Sequence, residues 1–279
     1  MDLLILIFIF FVSVFVGVVT SMFGIGGGLL LVPFLTLAIG LPIQTAIATS
    51  LVSTIANSSA ASITYVKDGR LNLRLALWLA ITATIGAIIG AHIAGQVDRT
   101  LLTEVFAVAL IVTAALLILQ RKETGALLCS ELRDTNRDRF HLGGSYTNTL
   151  PERTLTYPVK RPLLGLLGGF VAGNASGLLG IGGGIINVPI MTLGMHVPIK
   201  VATGSSALVI GLTTAVGAII YYANGFVQPL LAAVVLEAVF VGALLGPHIQ
   251  GKIRNDALTT IFSAVLIVIA LLMLLRGQS

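Results

Sequence analysis

Two stretches concentrate the residues that could handle an ion. Residues 21–34 read SMFGIGGGLLLVPF, and residues 177–190 read GLLGIGGGIINVPI. Gly24, Gly26, Gly27 and Gly28 recur as Gly180, Gly182, Gly183 and Gly184. Each block runs into a Val-Pro pair, Val32-Pro33 and Val188-Pro189. Glycine admits positive φ and leaves its amide uncovered. A glycine-rich break that opens a short helix points unpaired N–H groups, and the positive end of the helix dipole, at one spot. Such a spot attracts anions. The alternative is plain helix packing, for which membrane proteins also use small residues.

Hydroxyl-rich runs follow each block: AIATSLVSTIANSSAAS (46–62) and VATGSSALVIGLTTAVG (201–217). Thr49-Ser50 and Ser205-Ser206 occupy equivalent positions in them. Hydroxyls can donate to an anion without the fixed charge that would trap it; their other use is bonding between helices. Asn57 and Asn187 have no amide at the matching positions, Thr213 and Leu31. An amide within a membrane span is costly unless paired or lining a cavity. His92 in GAHIAG and His248 in GPHIQG could relay protons, or sit as interfacial residues. Glu237 is the one acid well inside an apolar run, and its counterpart is Ile81. An intramembrane acid is a candidate for proton coupling.

Other chemistries fit poorly. GIGGG lacks the Lys-Ser/Thr tail and the strand–helix setting of a phosphate loop. NASGLLG (174–180) and AHIAG (91–95) echo the serine and histidine elements of rhomboid-type intramembrane proteases. Here, however, the histidine precedes the serine, and Ser176 is paired in the duplicated pattern with Thr20. A protease is kept as a remote alternative. Cys129 is the only cysteine, so neither an intrachain disulfide nor a Cys-based metal cluster can form. No motif calls for a cofactor or metal.

The elements that must carry these residues are membrane helices. The chain of 279 residues is 56% hydrophobic and only 10% charged. Apolar runs of about 20 residues, the length that spans a bilayer, recur along it. Its net charge of +5 resides mainly in loops, without the basic, aromatic-interleaved stripe of a nucleic-acid surface. The first run, from Leu3, lacks a positive leader and is too long for a secretion signal, so it reads as a retained helix. Apolar segments fall at 3–23, 29–40, 46–66, 73–94 and 101–120, and again at 162–179, 185–196, 201–223, 229–250 and 257–275. Segments 29–40 and 185–196 are too short to cross and read as half-helices.

The second set is the first displaced by 156 positions without a gap, as Gly24 to Gly180 shows. Pro42 maps to Pro198, Tyr65 to Tyr221, Gly90 to Gly246 and His92 to His248. This is an internal repeat. Loop 66–74 carries Lys67, Arg70 and Arg74 against Asp68, whereas 222–230 carries no charge. Loop 95–100 is balanced, whereas 251–256 is basic. Equivalent loops therefore prefer opposite sides, as inverted repeats do under the positive-inside rule.

The expected fold is an all-α polytopic membrane protein. It has a first repeat at 1–120, a cytoplasmic linker at 121–160 and a second repeat at 161–279, with both termini outside. Within the linker, FHLGGSY (140–146) and TLTYPVK (154–160) could form two strands joined by TNTLPER, as a connector or a regulatory element.

The doubled GIGGG…VP element, the runs from Ala46 to Ser50 and from Ala202 to Ser206, and the eight or so spans resemble the sulfite exporter TauE/SafE family. The stretch from KRPLLGLLGG onward is especially typical, and GSY…TYPVKRP resembles a linker of one branch. The resemblance implies export of small sulfur-containing anions, such as sulfite, sulfoacetate or related organosulfonates, across the cytoplasmic membrane. Glu237 stands where many relatives carry a small residue. The expected mechanism is alternating access, one half rocking against the other around an anion held at the two breaks. An anion channel is the competing class. Expected partners are the anionic substrate and the lipid bilayer, with no nucleic acid; a homodimer is among the assemblies open to it.

Overall fold

The computed structural model describes residues 3–23, 26–127, 142–149, 152–250 and 255–277. The first repeat comprises α1 (Leu3–Phe23), α2 (Gly28–Pro33), α3 (Ile43–Lys67), α4 (Leu73–Gln96) and α5 (Arg99–Leu127). A hairpin follows, β1 (Gly144–Thr149) and β2 (Glu152–Tyr157). The second repeat comprises α6 (Pro162–Leu179), α7 (Gly184–Pro189), α8 (Ile199–Ala223), α9 (Pro229–Gln250) and α10 (Asn255–Gly277). Seven of the described helices are long and apolar enough to cross a membrane. Large apolar side chains such as Phe11, Phe15, Ile81, Leu167 and Leu271 line the outside, where lipid would replace water.

The two halves match in detail. Helices α3 and α8 have identical lengths and bounds displaced by the repeat interval. The short helices α2 and α7 each end at a proline and continue as one π-helical turn, Phe34–Ala38 and Ile190–Gly194. Proline has no N–H to donate to the preceding turn, so the ladder widens there. A threonine in the widened turn bonds back to the helix in the same way in both copies. Thr36 Oγ1 donates to the Val32 and Pro33 carbonyls, and Thr192 Oγ1 donates to those of Val188 and Pro189.

Helices α3 and α8 lie against each other in opposite directions. Leu51 faces Gly217, Ser58 faces Gly211 and Tyr65 faces Gly204, so one index rises as the other falls. Equivalent helices running antiparallel make the repeat an inverted one.

The halves are nonetheless interlaced. Helix α1 packs along α9, and its equivalent α6 packs along α4. Both seams bring backbones together over glycine. A Cβ on Gly242 would lie 2.8 Å from the Val18 nitrogen, and one on Gly86 would lie 2.8 Å from the Asn174 nitrogen. Gly17 and Gly173 complete the two seams, facing the carbonyls of Val239 and Ala83. Helix α3 also meets α9, and α8 meets α4.

The hairpin pairs Gly144 with Tyr157 through Thr149 with Glu152. Its strands therefore sit nearer the turn than the apolar spacing suggested, taking in Thr147, Thr149 and Thr154. Threonine is a good strand former, while Pro158 cannot donate to a ladder and releases the chain toward α6. Residues 140–141 lie outside the described residues. Leu142, Tyr157 and Val159 are buried with Leu75, Leu79, Met195 and Val201. The Lys160 amide donates to the Met195 carbonyl at 3.1 Å. The hairpin thus caps the face that holds the α3–α4 and α7–α8 connections.

Candidate functional site

The two glycine breaks meet. A Cβ on Gly28 would overlap the Gly180 carbonyl, and one on Gly26 would lie 3.3 Å from the Ile181 oxygen and 3.6 Å from the Gly182 Cα. Only glycine permits that approach. Gly26 (φ 87), Gly180 (φ 70), Gly182 (φ 79) and Gly183 (φ 70) also take left-handed backbone. Gly27 does not: it caps α2 at φ −70. Gly24 and Ile25 lie outside the described residues.

Helix α3 supplies the polar wall. The Ser50 hydroxyl donates to the Ile47 carbonyl at 2.9 Å and to the Gly180 carbonyl at 3.2 Å, pinning the second break to α3. Ser53 donates to the Ser50 carbonyl at 2.9 Å. A Cβ on Gly27 would lie 3.6 Å from Thr54 Oγ1 and 3.7 Å from Ser53 Oγ, so these hydroxyls flank the first break. Asn57 stands one turn further on. Ser58 donates to the Ala207 carbonyl, tying α3 to α8.

Within the expected site residues, partners divide the set. Thr49 donates to its own helix at Thr45, 2.9 Å away. Ser205 accepts from the Asn72 amide at 3.1 Å, so it serves the α3–α4 connection. Ser206 is fully buried and its Oγ has no hydrogen-bond partner. The Oδ1 atoms of Asn57 (3% exposed) and Asn187 (2% exposed) are likewise unpartnered. Thr54 Oγ1 and Ser176 Oγ are unpartnered too, Thr54 next to Gly26 and Gly27 and Ser176 on the turn whose carbonyl accepts from the Gly180 amide. Unpartnered oxygens also occur elsewhere, at Ser13 and Ser263, so location rather than lack of a partner marks the set. A buried polar atom without a partner costs roughly 1–3 kcal/mol, so the Thr54 hydroxyl beside the first break is held there against a penalty.

Ser53 and Thr54 were not singled out from the sequence. Their counterparts are Val209 and Ile210, so the repeat gave no hint of them. The signal was helical spacing: Ser53, Thr54 and Asn57 share a face of α3.

The proposed couplers lie apart. His92 is exposed on α4 with its Nε2 3.0 Å from Gln96 Nε2. Glu237 is exposed on the outer face of α9. His248 belongs to α9, with its side chain outside the described residues. No charged side chain is buried among the described residues. Ser176, fully buried on α6, is not joined to a histidine, so the protease constellation is not assembled.

An inverted repeat of membrane helices, broken by glycine where its two copies meet, is the architecture of a class of membrane transporters. The family profile described as Sulfite exporter TauE/SafE matches residues 9–273, and the chain belongs to that family. It is 28% identical over 268 residues to the Probable membrane transporter protein YunE of Bacillus subtilis, with 94% of each chain covered. A probable membrane transporter protein of Methanocaldococcus jannaschii is 28% identical over 288 residues, covering 98% of this chain and 97% of its own. One of Haemophilus influenzae is 26% identical over 286 residues, covering 95% and 96%. No solved structure matches the chain.

Proposed function

We propose that the protein exports small sulfur-containing anions across the cytoplasmic membrane by alternating access. The anion sits where the glycine breaks meet, a site to which Gly26–Gly28, Gly180 and Gly182–Gly184 contribute backbone. The Thr54 and Ser206 hydroxyls supply neutral donors to it, and the Asn57 and Asn187 amides donate through Nδ2. The observation that carries this reading is the buried, unpartnered Thr54 hydroxyl beside two glycine breaks that touch. Hydroxyl and amide donors stabilise an oxyanion, yet without a fixed cation they let it go. The sulfur content of the substrate is supported by the family's name.

Polarity follows from charge. The hairpin face carries Lys67, Arg70, Arg74, Lys160, Arg161 and Lys200 against Asp68; the opposite face carries Asp98, Arg99 and Glu104. By the positive-inside rule this charge difference supports a cytoplasmic hairpin face and external termini. An inside-negative potential then favours anion exit by about 2.3 kcal/mol per charge per 100 mV, without an ATP-driven module.

The test is counterflow in proteoliposomes, with sulfite, sulfoacetate, sulfate and a carboxylate as competitors. Saturable exchange inhibited by the sulfur oxyanions is expected. Conduction without exchange would make the protein a channel. Exchange of the carboxylate alone would remove the sulfur assignment.

A further inference from the structure

The inverted repeat makes the two faces of the transporter equivalent in outline, but one side chain makes them unequal. Asn72, in the α3–α4 connection, has every polar group engaged. Its backbone N–H donates to Ser205 Oγ at 3.1 Å, and its carbonyl accepts from the Ala76 amide at 3.0 Å. Its Oδ1 accepts from the Leu75 amide at 3.1 Å, capping α4. Its Nδ2 donates at 2.8 Å both to the Leu142 carbonyl and to the Tyr157 hydroxyl, which belong to the hairpin segment. Two glycines make room. A Cβ on Gly204 would lie 2.7 Å from the Arg70 carbonyl oxygen, and one on Gly144 would lie 3.1 Å from the Tyr157 hydroxyl. The hairpin, the connection and the start of α8 are thereby joined around one amide.

The equivalent place on the opposite face is built differently. Gln228 stands for Asn72, Ala48 for Gly204 and Thr49 for Ser205. Thr49 turns its hydroxyl back to its own helix, and Gln228 is exposed. The connection of residues 68–72 leads from α3, which packs on α9, to α4, which packs on α8 and α6. Fastening it to α8 shortens the tether between those two groups of helices on the hairpin face alone.

We propose that Asn72 is a positioning residue that clasps the hairpin and the α3–α4 connection to α8 and so holds the hairpin face shut, biasing the transporter toward opening on the other side. The clasp rests on the proposed transport path beside Ser206, which follows Ser205 directly on α8. It gives the linker between the repeats a task beyond joining them: the hairpin is a latch on one gate.

The experiment uses the full chain with Cys129→Ser and the reporter S206C in oriented proteoliposomes. The rate of modification by a membrane-impermeant methanethiosulfonate is measured from each side. Tyr157→Phe removes one hydrogen bond and keeps the ring. Asn72→Asp keeps the cap on Leu75 and removes the two Nδ2 donors. Tyr157→Phe is expected to raise the rate from the hairpin side by about fivefold, the weight of one typical hydrogen bond, and Asn72→Asp by about 25-fold, the weight of two, without raising it from the other side. Gln228→Ala is expected to change neither rate. Equal acceleration from both sides, no acceleration, or a Gln228→Ala effect matching that of Asn72→Asp would overturn the clasp. A labelled S206C thiol that sulfoacetate fails to protect would overturn the substrate reading alone. A thiol unlabelled from both sides in every variant would overturn both.

Discussion

Gly27 and Gly183 occupy the same position in the two repeats, and the structure predicts opposite responses to the same methyl group. Gly183 sits at φ 70, and a Cβ there would lie 2.6 Å from the Ala172 carbonyl oxygen and 3.1 Å from its carbon. Left-handed backbone costs a side-chain-bearing residue about 1–2 kcal/mol, and forcing an atom against a helix backbone adds about 1–3 kcal/mol. Gly27 sits at φ −70, with its would-be Cβ at 3.6–3.9 Å from Thr54, Ser53 and Val239, ordinary contact distances. Replacing glycine by alanine at a compatible position gains about 0.4–1 kcal/mol from the unfolded chain. The two variants should differ by at least about 2.4 kcal/mol, or about 5–10 °C in midpoint by the usual scaling for large domains. Thermal aggregation of purified protein in detergent, followed by size-exclusion chromatography, reads the midpoint. Gly183→Ala should melt early, whereas Gly27→Ala should melt at or above the parent. Transport should divide the other way: the Gly27→Ala methyl fills the space beside Thr54 and Ser53, so counterflow should fall although the fold is intact. Equal midpoints for the two variants, or an early melt for Gly27→Ala with Gly183→Ala unaffected, would refute the reasoning.

Two further outcomes are expected. Thr54→Val and Asn57→Leu each remove a buried oxygen that has no partner. Their melting midpoints should hold or rise, while half-saturation for sulfoacetate in counterflow should worsen about tenfold for loss of a donor, the hydroxyl in Thr54→Val and the Nδ2 amide in Asn57→Leu. Ser13→Ala, which removes an unpartnered oxygen elsewhere, should leave transport unchanged. On the seams, Gly173→Val and Gly242→Val push side chains into the backbones of α4 and α1, and monodisperse protein should be lost in chromatography. Gly40→Ala, with nothing within 4 Å of the new carbon, has only its positive φ against it and should remain folded.

Much of the architecture was legible because the chain states it twice. The prolines and glycines held in step marked 29–40 and 185–196 as short helices, and the structure divides each at its proline, with a π-helical turn beyond Pro33 and Pro189. The antiparallel course of α3 and α8 was foreshadowed by the charge difference between loops 66–74 and 222–230. What repetition cannot reveal is which helix packs on which, since periodicity records a face and not its partner. The seams of α1 with α9 and α4 with α6 were visible only as matched glycines, Gly17 with Gly173 and Gly86 with Gly242, whose purpose the spacing alone did not state. Repetition also hid what is not repeated. Ser53 and Thr54 have apolar counterparts, and Asn72 has an unengaged one, so a search for duplicated residues passed over all three. Ser205 shows the converse. It repeats Thr49 faithfully and yet serves the α3–α4 connection, because its neighbour Gly204 admits a backbone that Ala48 keeps away.

The interlacing bears on how alternating access would work. Rocking one sequence half against the other would pull α1 from α9 and α6 from α4, opening two seams in which glycines hold backbones in direct contact. Dispersion and weak Cα–H contacts at such approach distances are lost together when the helices part. The contacts that join α3 to α8 are of a different kind. Ser58 reaches Ala207, Leu51 covers Gly217, and Ser50 reaches Gly180 at the end of α6, each through a side chain that can change partner. The units best able to move as bodies are therefore composites, α1 with α3 and α9 against α6 with α8 and α4, each drawing helices from both repeats. Their boundary runs through the place where Gly28 meets Gly180. Motion along it would part and rejoin the two breaks, so the same displacement that alters access would assemble and dismantle the proposed anion site. The connections at 68–72 and 224–228 are then the covalent tethers between the bodies, one on each face, and Asn72 fastens only the first.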